Sequence, residues 1–399
     1  MKDLLVVSNG YGEDDIACKI VDALRAETAS TLTIEGWPMV GEGMAYRARA
    51  IPIVGTPNTL PNAGFATTMS WPYLLQDLRA GWISTYWRQL RAAHAMRSQY
   101  RMALAVGDIV PIAASVLARA RFLFVGCAKS SYYRTIGRYT RLERGLLRQF
   151  CELTFPRDAL SLEELSRARV PTRYVGNSMM DGLEGTGDRF GIPNDMRVVA
   201  MLAGTRRDAE QNLLDLAAAI TRVGEIAETP AAFRFVFAVG QALDPHVIRR
   251  RLETGARTRE WSVTCEGVTT GVVLRAVSSQ GVEMLLVKSQ FADVLRLATI
   301  VVGMAGTANE QAVGLGLPLI NVPSAGIQGE AYVAMKMQYF GDAAIAVNRD
   351  PDKIASAIND LMSDPERRAR MAQAGRARMG EPGASRAIAR EVLARLAQA

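Results

Sequence analysis

The 399 residues leave room for two or three domains, and 49% hydrophobic with 22% charged residues describe a globular enzyme, not a disordered or fibrous chain. The net charge of +7, carried mostly by arginine, favours anionic partners. The chain lacks a zinc knuckle, an aromatic RNA-binding motif and a long basic tail, which argues against nucleic acid. It also lacks any apolar run near ~18 residues, which excludes a transmembrane helix. Cys18, Cys127, Cys151 and Cys265 have no CxxC spacing and read as buried thiols of a reduced, cytoplasmic protein. With only His94 and His246, neither in a Gly-rich loop, a histidine metal centre or triad is not expected.

The N-terminus reads as a first strand, Leu4–Ser8, and not as a secretory signal. It ends in Ser8-Asn9-Gly10-Tyr11-Gly12-Glu13-Asp14-Asp15, a Gly turn into a helix expected over Ile16–Leu24. Three acids in a first turn complement the helix dipole but repel phosphate. The loop therefore suits a hydroxylic acceptor at Asn9, Gly10 and Gly12, with plain capping as the alternative. It is not GxGxxG, which argues against a nicotinamide cofactor.

From Trp71 to Leu90 the chain carries three of its five tryptophans, Trp71, Trp82 and Trp87. Strands follow at Ala103–Val106 and Phe122–Val125, the first ending in Gly107-Asp108. An aspartate at a strand's carboxyl end can act as general base toward a sugar hydroxyl, or simply cap the next helix. Between Arg134 and Arg148, five arginines, Arg138 and Arg141 among them, cluster on one helical face opposite Leu142, Leu146 and Phe150. A Trp-rich helix beside an arginine face suits an anionic membrane surface; a core helix with a solvated face is the alternative.

A strand is expected at Tyr174–Val175, then a polar, Gly-rich interdomain linker over Glu184–Pro193. The second half restarts at Val198–Leu202, followed by Gly204-Thr205-Arg206-Arg207, where a guanidinium can hold a diphosphate, or pair with Glu210. Strands are expected at Phe233–Val239, at Val272–Leu274 or Glu283–Val287, at Thr299–Val302 and at Leu319–Val322. After Val302 a small-residue loop opens a helix. The backbone N–H groups of Gly306, Thr307 and Ala308 suit a diphosphate there, and Glu310 or Gln311 suits ribose hydroxyls. Helices are expected over Asp350–Met362 and Pro365–Gln398.

The alternation argues for an α/β chain of two Rossmann-like domains with mostly parallel sheets facing each other across a cleft. The expected boundaries are 1–183 for the first domain and 194–365 for the second, with 366–399 packing back across the junction.

Several stretches together resemble lipid-A-disaccharide synthase and the lipid-A-disaccharide synthase-related proteins, glycosyltransferases of the GT-B fold. They are SNGYGEDDIA (8–17), VGEGMAY (40–46), LPNAGF (60–65), MSW…DLRAG (69–81), AVGDIVP (105–111), VGCAKSSYY (125–133), YVGNSMMDG (174–182), AGTRRDAE (203–210) and AGTANEQA (305–312). Each is loose alone, while their order and spacing span nearly the whole chain. The resemblance implies inverting, metal-independent transfer from a UDP-sugar to a lipid-linked acceptor on the inner leaflet, with no resident cofactor. It places Asp108 at the candidate catalytic aspartate, with Glu13 in reserve, and Arg206 in the diphosphate loop. Asn177 stands where the synthase has histidine, Tyr11 stands where many close relatives do, and Glu310 falls one residue early, leaving Gln311 in register. These departures leave the sugar and acceptor open. A UDP-sugar 2-epimerase of the same fold, and a non-catalytic nucleotide-sugar or lipid-binding protein, remain the alternatives.

Overall fold

The computed structural model describes residues 1–28, 30–55, 82–135, 137–256, 258, 260–265 and 271–398; of Trp82, Ile83, Thr85 and Tyr86 it describes the backbone alone. The chain divides into two compact units, Met1–Asp181 with Gly380–Ala399, and Gly182–Met379.

Unit 1 is a five-stranded parallel sheet in the order β2-β1-β3-β4-β5. Its strands are β1 (Lys2–Ser8), β2 (Ile34–Pro38), β3 (Tyr100–Val106), β4 (Arg121–Gly126) and β5 (Cys151–Pro156). The helices are α1 (Tyr11–Glu27), α2 (Met44–Arg47), α3 (Trp82–Ala95), α4 (Ile109–Leu117), α5 (Arg141–Phe150), α6 (Ala159–Arg167) and, from the chain's end, α14 (Ala384–Leu396). Strand alternation sorts the core into two layers. Leu4 and Val6 pack with Ile16, Ile20, Ile388 and Val392 of α1 and α14, whereas Leu5 and Val7 pack with Trp37, Phe122, Phe124 and Leu147.

Unit 2 is an eight-stranded sheet in the order β13-β12-β11-β6-β7-β10-β9-β8. It contains β6 (Arg197–Leu202), β7 (Phe233–Val239), β8 (Ser262–Thr264), β9 (Val272–Val277), β10 (Glu283–Lys288), β11 (Ile300–Gly303), β12 (Leu319–Asn321) and β13 (Ala344–Ala346). The pairing is parallel except at β10-β9 and β9-β8. Its helices are α7 (Ala209–Ile226), α8 (Pro245–Thr254), α9 (Phe291–Leu297), α10 (Thr307–Gly314), α11 (Glu330–Phe340), α12 (Pro351–Ser363) and α13 (Pro365–Met379). Val199 and Met201 share a core with Phe233, Phe235, Phe237 and Ile220.

Four expectations change. Tyr174–Val175 is not a strand; β2 and β5 supply the missing edges of the first sheet. Val272–Leu274 and Glu283–Val287 are not alternatives, since both belong to strands that pair antiparallel. The segment 366–399 divides at Gly380-Glu381-Pro382-Gly383: α13 belongs to unit 2, and α14 alone joins unit 1. The break follows from two glycines and a proline in four residues. Finally, the stretch read as a linker is fastened to unit 2. The amides of Thr186 and Gly187 donate to Asp293 Oδ1 at 2.6 and 2.8 Å, and Gln290 donates to Asp188 at 2.9 Å.

Helix α13 lies close on α10, and Gly375 is what permits it. A Cβ there would stand 2.3 Å from the Val313 carbonyl oxygen, a backbone atom that cannot swing aside. Gly375→Ala should therefore destabilise unit 2 by about 1–3 kcal/mol, although alanine's helix propensity alone would favour it by about 1 kcal/mol. Urea unfolding of the variant checks the sign; a stabilised variant would contradict the close packing.

Candidate functional site

In unit 1 the carboxyl ends of β1, β3, β4 and β5 gather the polar groups. Asp108 caps α4, accepting from Val110 N–H at 2.9 Å. The amide of Asn9, just past β1, donates to both Asp108 carboxylate oxygens at 3.1 Å. Burial raises the Asp108 pKa, opposed by the Val110 amide, the Lys129 charge and Asn9. A carboxylate with a raised pKa is a stronger proton acceptor, and both its oxygens are held in place. The buried Asn9 Oδ1 has no hydrogen-bond partner among the described residues.

Each acid of the Gly-turn helix has a separate task. Glu13 lies over the turn: a Cβ on Gly10 would meet its Oε2 at 2.3 Å, and one on Gly107 its Cγ at 3.2 Å, next to Asp108. Asp14 is buried and accepts from Ser8 Oγ at 2.5 Å, while Ser8 Oγ meets Tyr46 OH at 2.6 Å. Burial raises the Asp14 carboxyl to about 7. Asp15 pairs with Lys19 at 3.2 Å. Gly12 lies within α1 and Tyr11 is exposed.

Sequence reasoning missed three charges at this edge. Lys129, after β4, pairs with the buried Glu143 of α5 at 2.7 Å. Arg157, after β5, is buried and donates to the Cys127 carbonyl at 2.6 Å. Burial drives the Cys127 thiol pKa well up, and Glu13, Asp108 and Arg157 all act on it, so these charges share one neighbourhood. One signal was available for Glu143: Thr140-x-x-Glu143 is a capping box, and the structure forms it. Asn177 is occupied differently. Its side chain caps the turn Ser178–Met180, and its N–H donates to the Glu381 carbonyl at 3.0 Å.

The basic-aromatic surface is present in part. Trp87 is 57% exposed, with Arg91 over its ring at 5.3 Å. The helix expected from Arg134 begins only at Arg141, where Thr140 caps it. Arg138 lies outside it and pairs with Glu164 at 3.1 Å. Arg141 is exposed beside Leu142, itself 63% exposed. Trp71 and the Trp82 side chain lie outside the described residues. Among the described residues no helix is long and apolar enough to cross a membrane.

In unit 2 the loops after β6 and β11 meet. Gly204 has φ +86°, a conformation that favours glycine. Thr205, Arg206 and Arg207 follow it, exposed. Among the described residues no ion pair holds Arg206 or Arg207, because Glu210 is taken by Arg251 at 2.6 Å. Asp208 and Asn212 pin the loop to the turn after β12: Gly326 N–H donates to Asp208 at 3.1 Å and Ala325 N–H to Asn212 at 2.9 Å. The N-cap residue of α10, Gly306, has no side chain with which to cap the helix, so the first-turn N–H groups of Thr307 and Ala308 suit an incoming acceptor. A cavity of about 190 Å³ adjoins this loop pair, lined by Gly204, Thr205, Val239, Ser289, Phe291 and Ala308.

Glu310 and Gln311 are both buried, and Lys336 of α11 donates to Glu310. The carboxylate expected to face ribose is thus already engaged by an ammonium. A larger cavity of about 450 Å³ lies at the other end of the sheet, among Thr221, Arg222, Trp261 and Gln280. Its arginine is neutralised by Glu225 and Asp352, so the carboxyl edge is the better ligand site.

No family profile matches the sequence, and a search of curated proteins finds no sequence match. Solved structures do match in fold over nearly the whole length. MnaA from S. aureus, solved with UDP, is 12% identical over 100% of this chain and 98% of its own, with a TM-score of 0.61. The calicheamicin glycosyltransferase CalG4 is 15% identical over 100% and 99%, with a TM-score of 0.62. UDP-GlcNAc 2-epimerase from Neisseria meningitidis, bound to UDP-GlcNAc, is 16% identical over 99% and 100%, with a TM-score of 0.52. At these identities the likeness shows the fold, the two Rossmann-like units of the GT-B type.

Proposed function

We propose that the chain is an inverting glycosyltransferase that moves a sugar from a UDP-sugar to a lipid or lipid-linked acceptor, working peripherally on the inner face of the cytoplasmic membrane. The observation that carries this reading is the glycine-opened N-terminus of α10, whose Ala308 lines one cavity with Gly204 and Thr205, the residues just before an exposed Arg206 that no ion pair holds among the described residues. Together they offer N–H donors, a helix dipole and a cation to one diphosphate. The solved neighbours bound to UDP or UDP-GlcNAc support the nucleotide part of this reading, and the glycosyltransferase neighbour CalG4 supports the transfer. Gly204, Thr205 and the adjoining cavity complete the nucleotide site.

In the reaction, Asp108 takes the proton of the acceptor hydroxyl as that oxygen bonds to the anomeric carbon. The bond to the diphosphate breaks with its electron pair, and Arg206 and the α10 dipole stabilise departing UDP without need of a metal or resident cofactor. Asn9 holds the base, and Glu13, over Gly10, is its reserve. Exposed Trp87 with Arg91, and exposed Arg141 with Leu142, are the basic-apolar groups available to an anionic leaflet.

Arg206→Ala should weaken UDP binding roughly 10- to 100-fold, the worth of one charge-assisted contact. Calorimetry with UDP decides this, and unchanged affinity would remove Arg206 from the site.

The epimerase neighbour favours a second reading, a UDP-sugar 2-epimerase, in which the carboxylates near Cys127 act on the donor alone. Incubation with UDP-GlcNAc and no lipid separates the two. An epimerase converts the donor; a transferase leaves it intact and cosediments with anionic vesicles.

A further inference from the structure

Glu310 occupies the first turn of α10, where a carboxylate complements the dipole but opposes an incoming diphosphate. Its side chain is 3% exposed, so water screens that repulsion poorly. Lys336, its side chain 12% exposed, answers it from 26 positions away in sequence: its ammonium donates to Glu310 Oε1. The same ammonium lies 5.5 Å from the centre of the Tyr332 ring. Tyr332 in turn reaches the loop, its hydroxyl standing 2.9 Å from where a Cβ on Gly306 would be. Gly306, Tyr332, Lys336 and Glu310 thus form one connected wall at the opening of α10.

We propose that Lys336 is a positioning residue of the nucleotide site: it cancels and orients the buried Glu310 carboxylate so that the first turn of α10 can receive a nucleoside diphosphate. This rests on the nucleotide reading of unit 2. The ammonium acts through Glu310, which it contacts, and the diphosphate feels the cancelled charge.

Calorimetry with UDP and with uridine tests the role. Lys336→Met should weaken UDP at least tenfold and leave uridine within about twofold, because only the diphosphate meets the uncovered charge. Lys336→Arg should retain most of the UDP affinity. Glu310→Gln in the Lys336→Met background should restore UDP to within about threefold of Glu310→Gln alone, and this double variant leaves no buried charge unpaired should Lys336→Met fail to fold. Unchanged UDP affinity in Lys336→Met, equal losses for UDP and uridine, or no restoration in the double variant would each overturn the role. A wild-type chain that binds no UDP would instead overturn the nucleotide site on which it rests.

Discussion

Asp108→Asn is expected to lower sugar transfer ~10²–10⁴-fold, the usual worth of a positioned base, while the chain folds as before. Asparagine caps helices as well as aspartate does, so the bond from Val110 N–H survives, and the new side-chain carbonyl can still accept from Asn9. What is lost is the ionisable oxygen. The sign of the pH dependence follows from burial. Since the Asp108 pKa is raised, wild-type turnover should climb with pH as the carboxyl ionises, later than an ordinary aspartate would allow, and the variant should lose that rising limb. Circular dichroism with initial rates across pH checks both halves. A folded variant with wild-type turnover would remove Asp108 as the base and leave Glu13 to be tested in the same way.

The second large effect is on stability. Burial pushes the Asp14 carboxyl up to about 7 in the folded chain, well above the ordinary aspartate range, so the folded state keeps a proton that the unfolded state releases. Stability should therefore fall as pH rises from about 4 to about 7 and level off above, by on the order of 4 kcal/mol in all. Asp14→Asn removes the titrating group but can still accept from Ser8 Oγ. The variant should match wild type near pH 4 and exceed it at pH 8, flattening the dependence for unit 1. Urea midpoints at the two pH values decide the matter; equal pH slopes in the two proteins would show that Asp14 is not the group responsible. The arrangement also accounts for the placement of the acid: a Tyr46–Ser8–Asp14 chain ties the start of α1 to the end of β1, and Asn9 and Glu13 flank that tie.

The central strands were legible because β1, β3, β4, β6 and β11 are near-continuous apolar runs buried on both faces. The strand β2 was not, since Glu35, Gly36 and Pro38 interrupt IEGWP; yet Gly36 is needed, as a Cβ there would lie 2.3 Å from the Tyr46 ring. The strand β5, CELTFP, hides its apolar character in alternation. Tyr174–Val175 looked like a strand from two β-favouring residues, but the tyrosine hydroxyl is directed to the tight approach at Gly380.

For the site, sequence located loops better than partners. The Gly turns and Asp108 were visible because helix openings and strand ends have local signatures. The Asn9–Asp108 clamp joins residues 99 apart, and the Lys336–Glu310 pair leaves no local trace. The arginine face was overcounted for a related reason. Periodicity cannot show that Glu164, on another helix, takes Arg138 and Arg144.

The most direct measurement is UDP release by the purified chain, given a panel of UDP-sugars with and without total membrane lipid. Release that requires both one donor and lipid, with mass spectrometry showing the lipid gain one sugar, is the predicted result. Donor conversion without lipid, or tight UDP binding with no turnover on any donor, would contradict it.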